Sequence, residues 1–558
     1  MTTNAIPPLP SGHTGSALLP ATTDLSVRLL HPGVTPTDAL KLGHGLLKHT
    51  CKIGQLYYHA TTQAPPDWAE FLEHGAPGIK PLLQNQHSSA VLLVEAGPNS
   101  AKRLFAFCFG QGHHAIEHDF VERQFGMRVV LNSVSRKDLR VIDTASLDST
   151  VMQRRTQASR NSDLADFGLD INRDLLRLAS GTPSDRNIAK AVSGKDALQI
   201  RKKLAFADLP VLCAQLLDLY NTTDYQKDFG FIDQIKPLQK GSLVDKLDAL
   251  LMSEIHNLIA GAGSELHLAV PDILPMGASS QLSYHGPRMP RVKEQFDTLA
   301  IEDYIAELNV SGLGAACDIN DIRAQQVCSR SSDPDVQSAH MKVYDCMVFE
   351  TLHNACQYVL FDGQWYEISG IFFQEIQDYY LNLKKTAFLL SSSAANEQEL
   401  IKELCGPAHP HLLCIDKTKI NPTGVSNANI EVCDFVSQAK QLIHLKDSES
   451  SAPLSHLFNQ GLVSAEALLR DSTVRTKFRT VASKRESEYK RTGFVALLPT
   501  PARIASSQWT VLFGVLKKKG LRSGTLDLPF FSKVALRAAA DRIVLMGYQV
   551  ELHLIEKL

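Results

Sequence analysis

At 558 residues the chain exceeds the roughly 250 to 300 residues over which a single hydrophobic core grows, so two to four domains are expected. An apolar fraction of 44% and a charged fraction of 21% exclude wholesale disorder and fibrous architectures. A formal net charge of -2 excludes a protein that coats nucleic acid through global basicity, and ten scattered cysteines without a Cys-x-x-Cys pair exclude a zinc ribbon or disulfide scaffold.

Residues 1–25 are rich in Pro, Ser and Thr and have neither the basic segment nor the apolar run of a secretion signal. No later stretch offers the roughly 18 apolar residues of a membrane span, so a flexible arm on a cytoplasmic protein without membrane contact is expected. Residues 26–150 read as a mixed α/β domain. "SSAVLLVEAG" and "AKRLFAFCFGQG" form a strand pair, "EHDFVERQFG" has helical spacing, and "MRVVLNSV" and "LRVIDTASL" add two strands. In "FGQGHHAIEHDF", Gly110 and Gly112 follow a strand and precede a helix, where free backbone N–H groups can receive an anion. His114 and His118, or His113 and Glu117, would share a face of that helix at i, i+4 and could hold a metal; two histidines capping a helix are the plainer alternative.

Residues 151–285 are expected to be mainly helical, with amphipathic helices in "AFADLPVLCAQLLDLYN" and "SLVDKLDALLMSEIHNLIAG". Before them, Arg154, Arg155, Arg160, Arg173 and Arg177 could clamp phosphates or form a basic linker. "VSGKDAL" is no phosphate loop, because Ala189 and Asp196 stand where Gly and Ser or Thr are needed. Residues 286–390 contain the clearest hairpin, "CQYVLFDGQWYEI", whose Asp362 and Gly363 supply a tight turn; a helix follows in "GIFFQEIQDYYLNLKKT".

Residues 391–558 carry the main constellation. A helix "NEQELIKELCG", strands "LLCIDKTKI", "IEVCDFV" and "QLIHLK", and a helix beginning near Pro453 give the order α-β-β-β-α. Asp434 lies on the second strand, while His444 and Lys446 share a face of the third. This pattern resembles the restriction-endonuclease-like core of the PD-(D/E)XK phosphodiesterases. The resemblance implies a divalent metal, Mg²⁺ or Mn²⁺, held by Asp434 and His444, a charge-stabilising Lys446, a supporting Gln460 and an acid at Glu397 or Glu399. His444 departs from the family's Asp or Glu; imidazole suits Mn²⁺ or Zn²⁺ better than the hard Mg²⁺ ion. The alternative is a surface hairpin whose His444 is hydrogen-bonded in place and whose Lys446 reaches solvent.

Residues 472–537 hold fourteen Lys or Arg against three acids. Arg475, Lys477, Arg479, Lys484, Arg485, Lys490, Arg491, Lys517, Lys518 and Lys519 are therefore expected to contact nucleic-acid phosphates, or else to form a solvated helix face.

Over nearly its full length the chain also resembles a family of sporadically distributed bacterial proteins with a domain of unknown function, through "FGQGHH", "FGLDINRDLLR", "VYDCMVFE", "IEVCDF…LIHLK", "LSHLFNQG" and "LPFFSKVALRAAADRIVLMGY". Patchy occurrence of this kind implies anti-phage defence or a mobile element, with nucleic acid and a protein partner from the same operon as partners. The expected function is nucleic-acid binding with a metal-dependent nuclease activity. A non-catalytic sensor or scaffold on a degenerate nuclease fold is the alternative.

Overall fold

The computed structural model describes residues 21–60, 63–66, 69–98, 102–146, 153–159, 164–169, 174–262, 264, 266–271, 280–290, 294–331, 339–387, 394–424, 430–447, 451–519 and 524–557. Arg160 and Arg173, and the arm over residues 1–20, lie outside them. The protein is mixed α/β with several sheets, and it divides into two compact units. One contains the described residues up to Thr144 with Arg155–Leu169 and Leu176–Gly230; the other contains Ala145–Arg154, Asp170–Leu175 and Phe231–Leu558.

In the first unit, strands Leu47–His49, Gln55–Ala60, Ser88–Ala96, Arg103–Gly110, Ala21–Leu29, Leu198–Leu204 and Ala191–Gly194 neighbour one another in that order. Val91 to Val94 are all buried, because both faces of this strand are covered and an unbroken apolar run then replaces alternation. Phe105 meets Phe125 of helix Phe125–Ser133 edge to face, with ring centroids 6.0 Å apart. That helix occupies "MRVVLNS", expected as a strand; a short apolar run does not by itself separate the two periods. "EHDF" forms only a single tight turn, His118–Phe120.

The stretch 151–285 is less helical than expected. Helices Leu209–Asn221 and Ser242–Ile259 are present, but so are strands Gln153–Gln157, Asp174–Gly181, Ala191–Gly194 and Leu198–Leu204. In "LQIRKKL" Leu198 and Ile200 are buried while Gln199 and Arg201 face out, a period of two that its basic residues obscure.

In the second unit, strands Met347–His353, Cys356–Phe361 and Gln364–Ile368 form the expected meander. Asp362 and Gly363 have φ of 51° and 64°, the left-handed pair of a tight hairpin. The last sheet is built from β1 (Leu412–Cys414), β2 (Phe435–Ser437), β3 (Gln441–Asp447), β4 (Thr510–Lys517) and β5 (Gln549–Glu556), in that spatial order. Strand β2 is antiparallel to β1 and β3, whereas β3, β4 and β5 run parallel. Parallel neighbours need long crossovers. Helices α2 (Ser451–Arg470) and α3 (Ser472–Glu488) connect β3 to β4, and α4 (Phe530–Leu545) connects β4 to β5.

Alternate residues of the strands serve opposite faces. Leu442, Val511, Phe513 and Val550 pack with Leu454, Phe458 and Leu462 of α2 and Leu536 of α4. Ile443, Leu445, Leu512 and Leu516 pack with Leu400 and Leu404 of α1 (Glu397–Leu404). The result is a helix/sheet/helix sandwich whose central β4 is buried at every position.

Candidate metal centre

Antiparallel pairing brings the carboxyl ends of β1 and β3 beside the amino end of β2, at one edge of the C-terminal sheet. Asp434 stands one residue before β2. Its N–H donates to the Ile443 carbonyl at 2.9 Å, and its own carbonyl accepts from Ile415 and Asp416 at 2.7 and 3.0 Å. Its Oδ2 accepts the Leu445 N–H at 2.6 Å, taking the role a backbone carbonyl would play in the ladder.

Two further carboxylates converge on this point. Asp416 follows β1, and Glu431 belongs to a two-residue strand, Ile430–Glu431, paired with Lys419–Ile420. Glu431 is fixed by accepting the Lys417 N–H at 2.8 Å. One ligand oxygen from each of Asp416, Glu431 and Asp434 lies within 4.8 Å of the others, and all three residues are half-buried. Burial raises the Asp434 carboxyl to about 8; Glu431, Asp416 and Glu397 add to the rise, and the Leu445 N–H opposes it. Asp434 therefore keeps its proton at neutral pH unless positive charge arrives. An all-oxygen set with this excess of negative charge fits a hard divalent cation, Mg²⁺ or Mn²⁺.

Lys446 is at the same edge, its Nζ 3.2 Å from Glu397 Oε2. That oxygen also accepts the Asp447 N–H at 3.1 Å, so the first turn of α1 holds the end of β3. Glu399 acts as a helix cap, receiving the Ala395 N–H while its own N–H donates to the Asn396 side chain. His444 is only 3% exposed, and its ring leans on Phe513 with centroids 6.0 Å apart. Burial lowers its pKa to about 4, so the ring is neutral, and its Nε2 has no hydrogen-bond partner. It lies outside the group of three carboxylates. Gln460 is half-buried in the middle of α2. The sequence reading thus named Asp434 but missed Asp416 and Glu431.

Much of the basic stretch is turned inward. Arg475, 5% exposed, donates to the carbonyls of Leu468, Leu469, Thr500, Pro501 and Ala502. Arg479 donates to Val495 and Leu498, Arg485 to Asp416 and Glu488, and Arg491 to Cys405, Gly406 and Leu412. Lys477 reaches the Asn421 carbonyl, Lys519 pairs with Glu556, and Lys517 is buried. Lys484, Lys490 and Lys518 are exposed.

Arg154 pairs with Asp174 at 2.8 Å, and Arg155 makes a two-pronged contact with Asp143 at 2.7 and 2.6 Å. Arg177 lies on strand Asp174–Gly181. Gly110 precedes a turn, Gln111–Ala115, and Gly112 lies within it; His113 and His114 belong to the same turn while His118 starts another, so no helix face joins them.

These features define a mixed α/β protein whose C-terminal sandwich presents three carboxylates and a lysine at one sheet edge. The chain belongs to a family of unknown function, DUF6119, whose model matches residues 25–556. No curated protein and no solved structure matches it. Among the described residues no helix is long and apolar enough to cross a membrane.

Proposed function

We propose that the C-terminal sandwich is a metal-dependent phosphodiesterase acting on nucleic acid, with Asp416, Glu431 and Asp434 as the metal-holding residues. The observation that carries this reading is the convergence of the three carboxylates, one of them with a strongly raised pKa, where three strand ends meet. The order α1-β1-β2-β3-α2, with β3 followed by a parallel β4, supports the likeness to a restriction-endonuclease-like core. A divalent ion supplies Lewis-acid polarisation of a phosphate oxygen and a water acidified toward neutrality. Ionised Asp434 would supply negative charge to hold such an ion, together with Asp416 and Glu431. Lys446, about one-third exposed, offers its ammonium to the charge that develops on the phosphate, while Glu397 fixes its direction. A role in anti-phage defence or on a mobile element fits such an activity, with a protein partner from the same operon as part of the proposal.

The test compares wild type, Asp434→Asn and Lys446→Ala on labelled DNA and RNA with Mg²⁺, Mn²⁺ or EDTA. Cleavage that needs metal and falls by roughly a hundredfold or more in both variants is expected. Equal cleavage by all three proteins would refute the assignment. A second reading, binding without cleavage, is favoured by His444, which is buried in the core two residues before Lys446. It expects retained oligonucleotide and no metal-dependent product.

A further inference from the structure

A second cluster of basic side chains lies in the first unit, around the turn that follows strand Arg103–Gly110. Backbone contacts bring three segments together there. Lys41 N–H donates to the Ala115 carbonyl at 2.9 Å, Glu117 N–H to Ala39 at 2.9 Å, and His31 N–H to Phe120 at 2.8 Å. Isolated bridges join Leu40 to Ile116 and Leu30 to Val121. Arg28 lies on strand Ala21–Leu29 opposite Ala106, its guanidinium donating to the Ser26 hydroxyl at 3.5 Å and lying near the Cys108 thiol. The turn itself is fixed by close approach: a Cβ on Gly110 or Gly112 would stand 2.3 Å from the Ser88 or Ala90 carbonyl oxygen. His113 and His114 are thereby held with ring centroids 4.0 Å apart.

The segment itself carries two acids, Glu117 and Asp119, on either side of His118. Nearby cations have acids of their own: Arg103 pairs with Glu122 at 2.5 Å and Arg123 with Asp196 at 2.7 Å. Among the described residues Arg28 and Lys41 have no ion pair, and both are half-buried. Burial, then the positive charges of Lys41, Arg28, Arg123 and His113, lower the pKa of His118 to about 4. His113 is lowered as well, by burial and then by His114, Arg28 and Lys41. His113 and His118 are thus held toward the neutral form, in which each ring offers one N–H donor.

We propose that Arg28, Lys41, His113 and His118 form an anion-binding site for a phosphate-bearing ligand. A tetrahedral phosphate accepts several hydrogen bonds from different directions, and a guanidinium, an ammonium and two imidazole N–H groups on three separate segments supply them. The carboxylate centre in the other unit plays no part in it.

Two probes distinguish the source of the phosphate: inorganic pyrophosphate by calorimetry, and a fluorescein-labelled 20-nucleotide strand by anisotropy. Both are used with full-length protein, low salt and EDTA. Saturable pyrophosphate binding assigns a free phosphate ligand, and strand binding assigns the phosphodiester backbone. In either case Arg28→Gln/Lys41→Gln should weaken binding roughly tenfold or more, the loss of one or two charge-assisted hydrogen bonds. Lys41→Arg, which keeps the charge, should bind within a fewfold of wild type. The proposal is overturned if neither probe binds, or if the double variant binds both as wild type does.

Discussion

Raising the pH from 6 to 8 should strengthen Mn²⁺ binding at Asp416, Glu431 and Asp434 by one to two orders of magnitude. With its carboxyl at about 8, Asp434 is ionised in only about one molecule in a hundred at pH 6 and one in ten at pH 7. The cation must displace that proton, so its affinity should rise about tenfold, or 1.4 kcal/mol, per pH unit until it levels off near pH 8. The metal-free protein should move the other way. An unfolded Asp ionises near pH 4, so between about pH 4 and 8 the native state keeps a proton that the unfolded chain has lost. Stability from this group is fully present below the unfolded pKa and is lost as pH rises through the folded one, at up to about 1.4 kcal/mol per unit. Melting temperatures in EDTA should therefore fall between pH 5 and 8, while the increment from added Mn²⁺ grows. Calorimetry in two buffers of different ionisation enthalpy should count close to one proton released per ion at pH 7. Asp434→Asn keeps an acceptor for Leu445 and should abolish both trends. Binding indifferent to pH, or an Asn variant that titrates like wild type, would refute the reasoning.

Two further outcomes follow from packing. Arg475→Met should cost about 3 to 5 kcal/mol, because it leaves buried carbonyls at the end of α2 without their donor; chemical denaturation of the variant checks this. Gly461→Ala should cost about 1 to 3 kcal/mol, since the new methyl would stand 2.5 Å from the Phe513 ring beneath α2. A melting temperature equal to wild type would mean that the helix shifts at no cost.

The first part of the C-terminal sandwich, from α1 to α2, was readable where its elements punctuate themselves. Asn396 and Glu399 cap α1, and Gln438, Ala439 and Lys440, the last at φ 59°, turn β2 into β3. Asp434 was visible as an acid in an apolar run. Asp416 and Glu431 were not, since "LLCIDKTKI" and "IEVCDFV" each look like one continuous strand. Their division depends on a turn with Lys417 at φ 59° and on the side-chain link from Asp434 to Leu445, neither of which has a periodic signature. The basic stretch misled for a different reason. Charge counting cannot tell a guanidinium that faces solvent from one that satisfies the orphan carbonyls of helix ends, as Arg475 and Arg491 do. At "GHHAIEHDF" the spacing promised a helix, but Ile116 pairs with Leu40 as an isolated bridge and divides the histidines between two turns.

The doubled duty of Asp434 narrows the paths by which this protein could drift. Its carboxylate joins two strands and also belongs to the group of three acids, so chemistry and architecture share one side chain. Most replacements would strand the Leu445 amide and loosen the sheet edge at the moment the charge was lost. Asparagine alone keeps the shape and the acceptor while giving up the acid. A lineage that abandoned ion binding but kept the fold would be expected to pass through that residue, which makes position 434 the place where a working copy and a silent one differ by a single amide.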